Sequence, residues 1–181
     1  MKKRLEELNR ISKEEYKSSS KLPLVVVLDN IRSRHNTGSV FRTCDAFRIS
    51  AVYLCGITDC PPNKEIEKTA LGATDSVEWK YYENTVNAIK ELKNKNYLIA
   101  GIEQSHNSID ISDFDIENLA QPVAIILGNE VFGMSDEVLP LCDFMIELPQ
   151  HGTKHSLNVS VCAGIVIWDM YRRMISTYQY F

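Results

Sequence analysis

Three short stretches place uncommitted polar side chains and glycine directly after apolar runs: HNTGSVFRTCDAF from His35, LGNEVFGMSDE from Leu127, and IELPQHGTKHSLNVSVCAGI from Ile146. In α/β proteins, sites are built where strands end in this way. The first stretch offers a carboxamide, a glycine and a guanidinium at Asn36, Gly38 and Arg42. The second offers Gly128 and Glu130. The third runs from Leu148 through an irregular, polar Gln150 to His155 and on to Ser156, Leu157 and Asn158. A fixed guanidinium can stabilise charge developing on an oxygen, and a carboxylate suits a cationic ligand.

Each of these residues also has a purely local use. Asn36 can cap the helix that follows, whose buried stripe would be Val40, Cys44 and Phe47, leaving Arg42 on another face to pair with Asp45. Glu130 can cap an element beside a strand-to-helix turn. Ser156 can be an N-cap with Leu157 and Asn158 in the first turn. The run Gly128 to Ser135 superficially has the glycine spacing of a phosphate loop, but Met134 stands where lysine would hold phosphates and Glu130 would put a negative charge among them. Nucleoside triphosphate binding is disfavoured. No G-x-G-x-x-G follows a strand, which disfavours NAD or FAD, and the four histidines lack a ligand spacing, so no metal is expected.

The elements that must position these residues are legible as alternating runs. Apolar, β-branched segments at 24–28, 51–55, 97–102, 123–127 and 144–148 are each followed by a turn signal or a helical pattern. That alternation predicts an α/β fold, a mostly parallel sheet with helices on both faces. Helices are expected over 3–17, 37–47, 84–94, 134–141 and 157–175, and a rigid loop over Asp59 to Lys64, where two prolines adjoin. The expected division is an N-terminal basic amphipathic helix over 1–20 and one domain over 21–181. The segment LNVSVCAGIVIW, Leu157 to Trp168, is apolar on nearly every face, so its own domain or a second subunit must bury it.

At 181 residues, 44% hydrophobic and 24% charged, the chain has ordinary globular composition, which excludes disordered and collagen-like classes. No apolar run is long enough to span a bilayer, and the charged start has no apolar signal core, so a soluble cytoplasmic protein is expected. The five cysteines are odd in number and mostly lie in apolar segments, which predicts reduced, buried thiols. The net charge of −4 hides an asymmetry: residues 1–48 hold eleven Lys/Arg against six Asp/Glu, a net of +5. A local basic surface is what phosphate binding needs, whatever the total; a solvated basic helix is the plainer reading.

The three stretches, in order and wording, resemble the motifs of the SpoU/TrmH branch of the SPOUT superfamily over about Leu24 to Met174. The matching strings are N-x-G-x-x-x-R from Asn36, G-x-E-x-x-G from Gly128, and S-L-N-V-S-V-x-x-G-I from Ser156, the last being the most specific. The resemblance implies a homodimeric α/β fold with a C-terminal deep trefoil knot, S-adenosylmethionine as cofactor, and methylation of ribose 2′-hydroxyls in RNA. It implies a catalytic group of Arg42, Asn36, Glu130, Ser156 and Asn158, with Arg42 typically acting across the dimer interface. Because arginine stays protonated, the role assigned to Arg42 is positioning and electrostatic activation, with an RNA phosphate helping to take the proton. The cofactor would be held around Ile102, Glu103, Gly128, Ile146, Leu148 and Leu157. RNA phosphates would dock on Lys2, Lys3, Arg4, Arg10, Arg32 and Arg34. Transfer RNA is favoured over ribosomal RNA because compact members often act on it, and a D-loop guanosine is one target. A non-catalytic RNA-binding protein on the same fold and an unrelated nucleotide-binding domain are the readings from other classes.

Overall fold

The computed structural model describes residues 10–116 and 121–178 with the isolated residues 2, 4 and 7, and side chains as far as residue 175. Seven parallel strands form one sheet: β1 (Leu22–Asp29), β2 (Ile49–Cys55), β3 (Trp79–Tyr82), β4 (Leu98–Ile102), β5 (Ile109–Asp110), β6 (Val123–Leu127) and β7 (Phe144–Glu147). Their order is β3-β2-β1-β6-β4-β7-β5. The helices are α1 (Lys13–Ser18), α2 (Arg34–Ala46), α3 (Lys64–Ala70), α4 (Thr85–Asn94) and α5 (Val159–Tyr178).

The near-continuous apolar runs at the centre of the sheet follow from burial on both faces. Side chains alternate: Leu24, Val26 and Leu28 of β1 join the core beneath α1, α2, α3 and α5, whereas Val25 and Val27 join Ala88, Ile89 and Leu92 of α4 on the other side. All of these are at most 4% exposed, Tyr16 of α1 included. Because β6 lies between β1 and β4, chain segments far apart in sequence end side by side at one edge of the sheet. That edge, outside the carboxyl ends of β1, β6, β4 and β7, is where an open parallel sheet leaves a crevice.

Several elements differ from the sequence expectation, each for a local reason. The helix expected over 3–17 is present from Lys13 onward, because Ser12 and Glu15 form a reciprocal capping box that sets its start. Lys3, Leu5 and Leu8 lie outside the described residues. α2 begins at Arg34, because Ser33 rather than Asn36 supplies the cap, its Oγ accepting the Asn36 N–H at 3.2 Å. α5 is capped by Asn158 rather than Ser156; Asn158 Oδ1 accepts the N–H groups of Ser160 and Val161 at 2.9 and 3.4 Å. No α-helix forms over 134–141. The Met134 and Ser135 N–H groups go to Glu103 and Asp29, Pro140 has none, and only a 3₁₀ turn at Leu139–Leu141 remains. α3, β3 and β5 were not expected: each is too short to show a period.

Candidate active site

A cleft of about 380 Å³ opens at that sheet edge, bounded by the ends of β4, β6 and β7 and by the segment leading into α5. Ile102 and Glu103 form one side, Leu127 to Glu130 the floor, and Leu148 with Ser156, Leu157, Asn158 and Cys162 the other. The floor is tight. A Cβ on Gly128 would lie 2.3 Å from the Gly133 carbonyl carbon and the Met134 nitrogen, so only glycine allows this turn to fold back on the strand end. Asn129 and Gly133 exchange backbone hydrogen bonds at 2.8 and 2.9 Å. The Asn129 side chain then anchors the turn, donating to the Asn30 carbonyl at 2.6 Å and accepting from Val131 and Phe132 N–H.

This anchoring aims Glu130 at the start of α2. Its carboxylate accepts the N–H of Arg32 (2.9 Å), the N–H of Ser33 (3.0 Å) and the side-chain amide of Asn36 (3.0 Å). Burial alone would push the Glu130 carboxyl up; these donors outweigh it and hold the group below the usual range, ionised at the negative-preferring end of a helix. Asn36 Oδ1 in turn accepts the Asn158 amide at 3.2 Å, and Asn158 Oδ1 accepts the Ser160 hydroxyl at 2.7 Å. One chain of hydrogen bonds therefore joins all three polar stretches at the rim of the cleft.

Of the expected cofactor contacts, Ile102, Glu103, Gly128, Leu148 and Leu157 line the cleft. Ile146 does not: it is fully buried, and its carbonyl is taken by the Glu103 N–H at 3.0 Å. Of the expected catalytic group, Glu130, Ser156 and Asn158 line the cleft and Asn36 reaches it through its two partners. Arg42 is apart from it. Its exposed side chain lies over a separate shallow groove with Ser39, Thr43, Phe47 and Lys68, and its expected pairing with Asp45 is not among the ion pairs of the described residues. Lys2, Arg4, Arg10 and Arg32 are exposed, and Arg34 is paired with Asp59 at 2.5 Å. Asn129, Phe132 (83% exposed) and the buried Asp29 were not singled out by sequence, since nothing local marks an anchor whose partners are distant.

The cleft suits a cofactor that is part apolar and part cationic. Ile102, Leu127, Leu148 and Val159 give it apolar wall, and Glu103 and Glu147 bring carboxylates to it. The Cys162 thiol is pushed up to about 11, chiefly by burial, and so stays protonated and unreactive at neutral pH.

One face of α5 is left uncovered. Val161, Ile165 and Trp168, spaced at four and three, are 43–51% exposed, with Leu157 just before the helix at 38%, while Ala163, Val166, Ile167 and Met170 are buried in the core. The expectation that the domain or a second subunit buries this helix is met by the domain on one side only. Trp168 packs against Phe47 at the end of α2 in a tilted pair, ring centroids 5.5 Å apart, which brings the Arg42 groove beside the apolar stripe.

Residues 23–168 match the model of the SpoU rRNA Methylase family. A 23S rRNA (guanosine-2′-O-)-methyltransferase from Neisseria meningitidis is 33% identical over 156 residues, 86% of this chain and 61% of that protein. The chain thus spans about three-fifths of the length of the curated relatives it matches. Among solved structures, the TrmH/SpoU tRNA modifying enzyme of A. aeolicus superposes with a TM-score of 0.79 at 28% identity, over 93% of this chain and 83% of that one. An AdoMet-bound rRNA methyltransferase from Sinorhizobium meliloti superposes at 0.77 and 25% identity, over 90% of this chain and 61% of that one. The family match over most of its length, with these likenesses in sequence and fold, shows that the chain belongs to the SpoU methylase family.

Proposed function

We propose that the protein is a homodimeric methyltransferase that transfers a methyl group from S-adenosylmethionine to a ribose 2′-oxygen of RNA. The observation that carries this reading is the hydrogen-bonded chain Glu130–Asn36–Asn158, which assembles the three family motifs at the rim of one cleft. When bound there, S-adenosylmethionine supplies an electrophilic methyl group on a sulfonium. The apolar wall of Ile102, Leu148 and Val159 excludes water, and Glu103 and Glu147 favour the cationic end. The ribose hydroxyl is held at the rim by the Asn158 and Ser156 side, so alignment supplies much of the rate.

Arg42 completes the site from a second subunit. Its distance from its own cleft and its place beside the exposed α5 stripe both support an interface formed by α2 and α5, large exposed apolar patches being characteristic of partner surfaces. There the guanidinium orients and activates the 2′-oxygen, with an RNA phosphate helping to take the proton. The deep trefoil knot and a cytoplasmic setting belong to the same reading. Lys2, Lys3, Arg4, Arg10, Arg32 and Arg34 would contact RNA phosphates; unchanged RNA affinity after charge reversal of Lys2, Lys3, Arg4 and Arg10 would refute that part.

Transfer RNA is the favoured substrate, with a D-loop guanosine the first position to examine; the relative named for 23S rRNA supports ribosomal RNA as the second reading. The test is incubation with methyl-labelled S-adenosylmethionine and separate pools of unmodified transfer and ribosomal RNA, followed by nucleoside mass spectrometry. Label in a 2′-O-methylated nucleoside of one pool is the expected result. Label on a base overturns the ribose chemistry, and binding of RNA without label in either pool favours a non-catalytic role.

A further inference from the structure

The side-chain amides at the rim have a fixed polarity. A carboxylate can only accept hydrogen bonds, so Glu130 forces Asn36 to present its NH₂ group to it; the reverse would set a carbonyl against a carboxylate at 3.0 Å. The Asn36 carbonyl then faces Asn158, which must also donate, at 3.2 Å. The Asn158 carbonyl is taken by the Ser160 hydroxyl and the Ser160 and Val161 N–H groups. Donation thus runs one way from Ser160 through Asn158 and Asn36 to Glu130, across segments separated by 122 and 94 positions.

Both amide oxygens accept within this chain, that of Asn158 three times and that of Asn36 once. Each NH₂ group has used one of its two hydrogens and, among the described residues, makes no other bond. What the paired amides offer a ligand is therefore mainly donors, two N–H bonds against the one remaining lone pair of the Asn36 carbonyl. Resting on the function proposed above, we infer that the free N–H bonds of Asn36 and Asn158 form an oxyanion-stabilising pair for the ribose 2′-oxygen. Glu130 and Ser160 act as positioning residues that set its polarity. In the transfer, the 2′-oxygen forms its bond to the methyl carbon as the carbon–sulfur bond breaks, the electron pair going to sulfur. The hydroxyl proton leaves to water or an RNA phosphate oxygen, since an amide N–H cannot take it. Negative charge on the oxygen is greatest as that proton departs, and donors already in place stabilise it without reorganising.

Asn158→Asp is the sharpest test, because it keeps the side-chain size and the helix cap but replaces the donor with an acceptor facing the Asn36 carbonyl. The expected result is a loss of kcat of about 100-fold or more, with S-adenosylmethionine affinity and affinity for RNA carrying a 2′-deoxy target within about threefold of wild type. Retained kcat overturns the proposal. So does a tenfold loss of either affinity, which would make Asn158 a binding or structural residue. Ser160→Ala should lower kcat several-fold at unchanged KM, with recovery in Ser160→Thr; equal activity of all three removes Ser160 from the chain. A wild-type protein that methylates no ribose sinks the proposed function itself, whereas an active wild type with an active Asn158→Asp variant sinks only this inference.

Discussion

Asp29, fully buried at the end of β1, accepts both the backbone N–H of Ser135 at 2.8 Å and its hydroxyl at 3.1 Å, across 106 positions of sequence. Thr85 and Asn30 also donate to it, at 2.5 and 2.9 Å. The second motif is thereby tied to the first strand of the sheet, and the cleft floor inherits the rigidity of the core. Asp29→Ala leaves the buried Thr85 hydroxyl and the half-buried Ser135 and Asn30 donors without their acceptor, so a stability loss of about 1–3 kcal/mol is expected in urea denaturation. A loss below about 1 kcal/mol would show that the tie is dispensable.

Gly128→Ala should disturb the floor directly. The added carbon meets backbone rather than a flexible side chain, so the turn must move. Calorimetric titration should show S-adenosylmethionine affinity reduced at least about tenfold, and denaturation a loss of about 1–3 kcal/mol.

If Arg42 serves the partner's cleft, Arg42→Ala alone should lower turnover by about 100-fold or more while leaving cofactor affinity nearly intact. Co-expressed with Gly128→Ala in equal amounts and assayed at cofactor too dilute to fill the altered cleft, it should recover about a quarter of wild-type activity, because half the dimers are mixed and each has one whole site. No recovery would place Arg42 in its own subunit's chemistry.

The α5 stripe can be tested without touching the core. Ile165→Glu adds a charge to a side chain that is 43% exposed, so the subunit should fold unchanged by circular dichroism. Sedimentation equilibrium should show a monomer, with activity lost. A dimer that survives would move the interface elsewhere.

Glu130 makes stability depend on pH. Its carboxyl is held below its unfolded value, so its contribution is present above the unfolded Glu value of about 4.3 and is lost as pH falls through the lower folded one. Glu130→Gln should flatten that acid limb in denaturation measured between pH 7 and 3. An unchanged limb would mean the Arg32, Ser33 and Asn36 donors do not select the ionised form.

The sequence by itself determined the parallel sheet, its five principal strands and the residues worth watching, because hydrophobic alternation and motif spacing are local and survive without contacts. The run 123–127 coincides with β6, and Thr85–Asn94 with its expected helix to within one residue. Caps were the first things misassigned. Ser33 and Asn158 displaced Asn36 and Ser156, since several adjacent residues can each satisfy a helix end and the choice depends on what else competes for their side chains. Only tertiary structure decided that Asn36 is released from capping to meet Glu130, that Ile146 is sealed beneath the cleft, and that Arg42 faces away from it. Those outcomes depend on β6 lying between β1 and β4, a long-range pairing that brings distant strand ends together and that no window along the chain encodes.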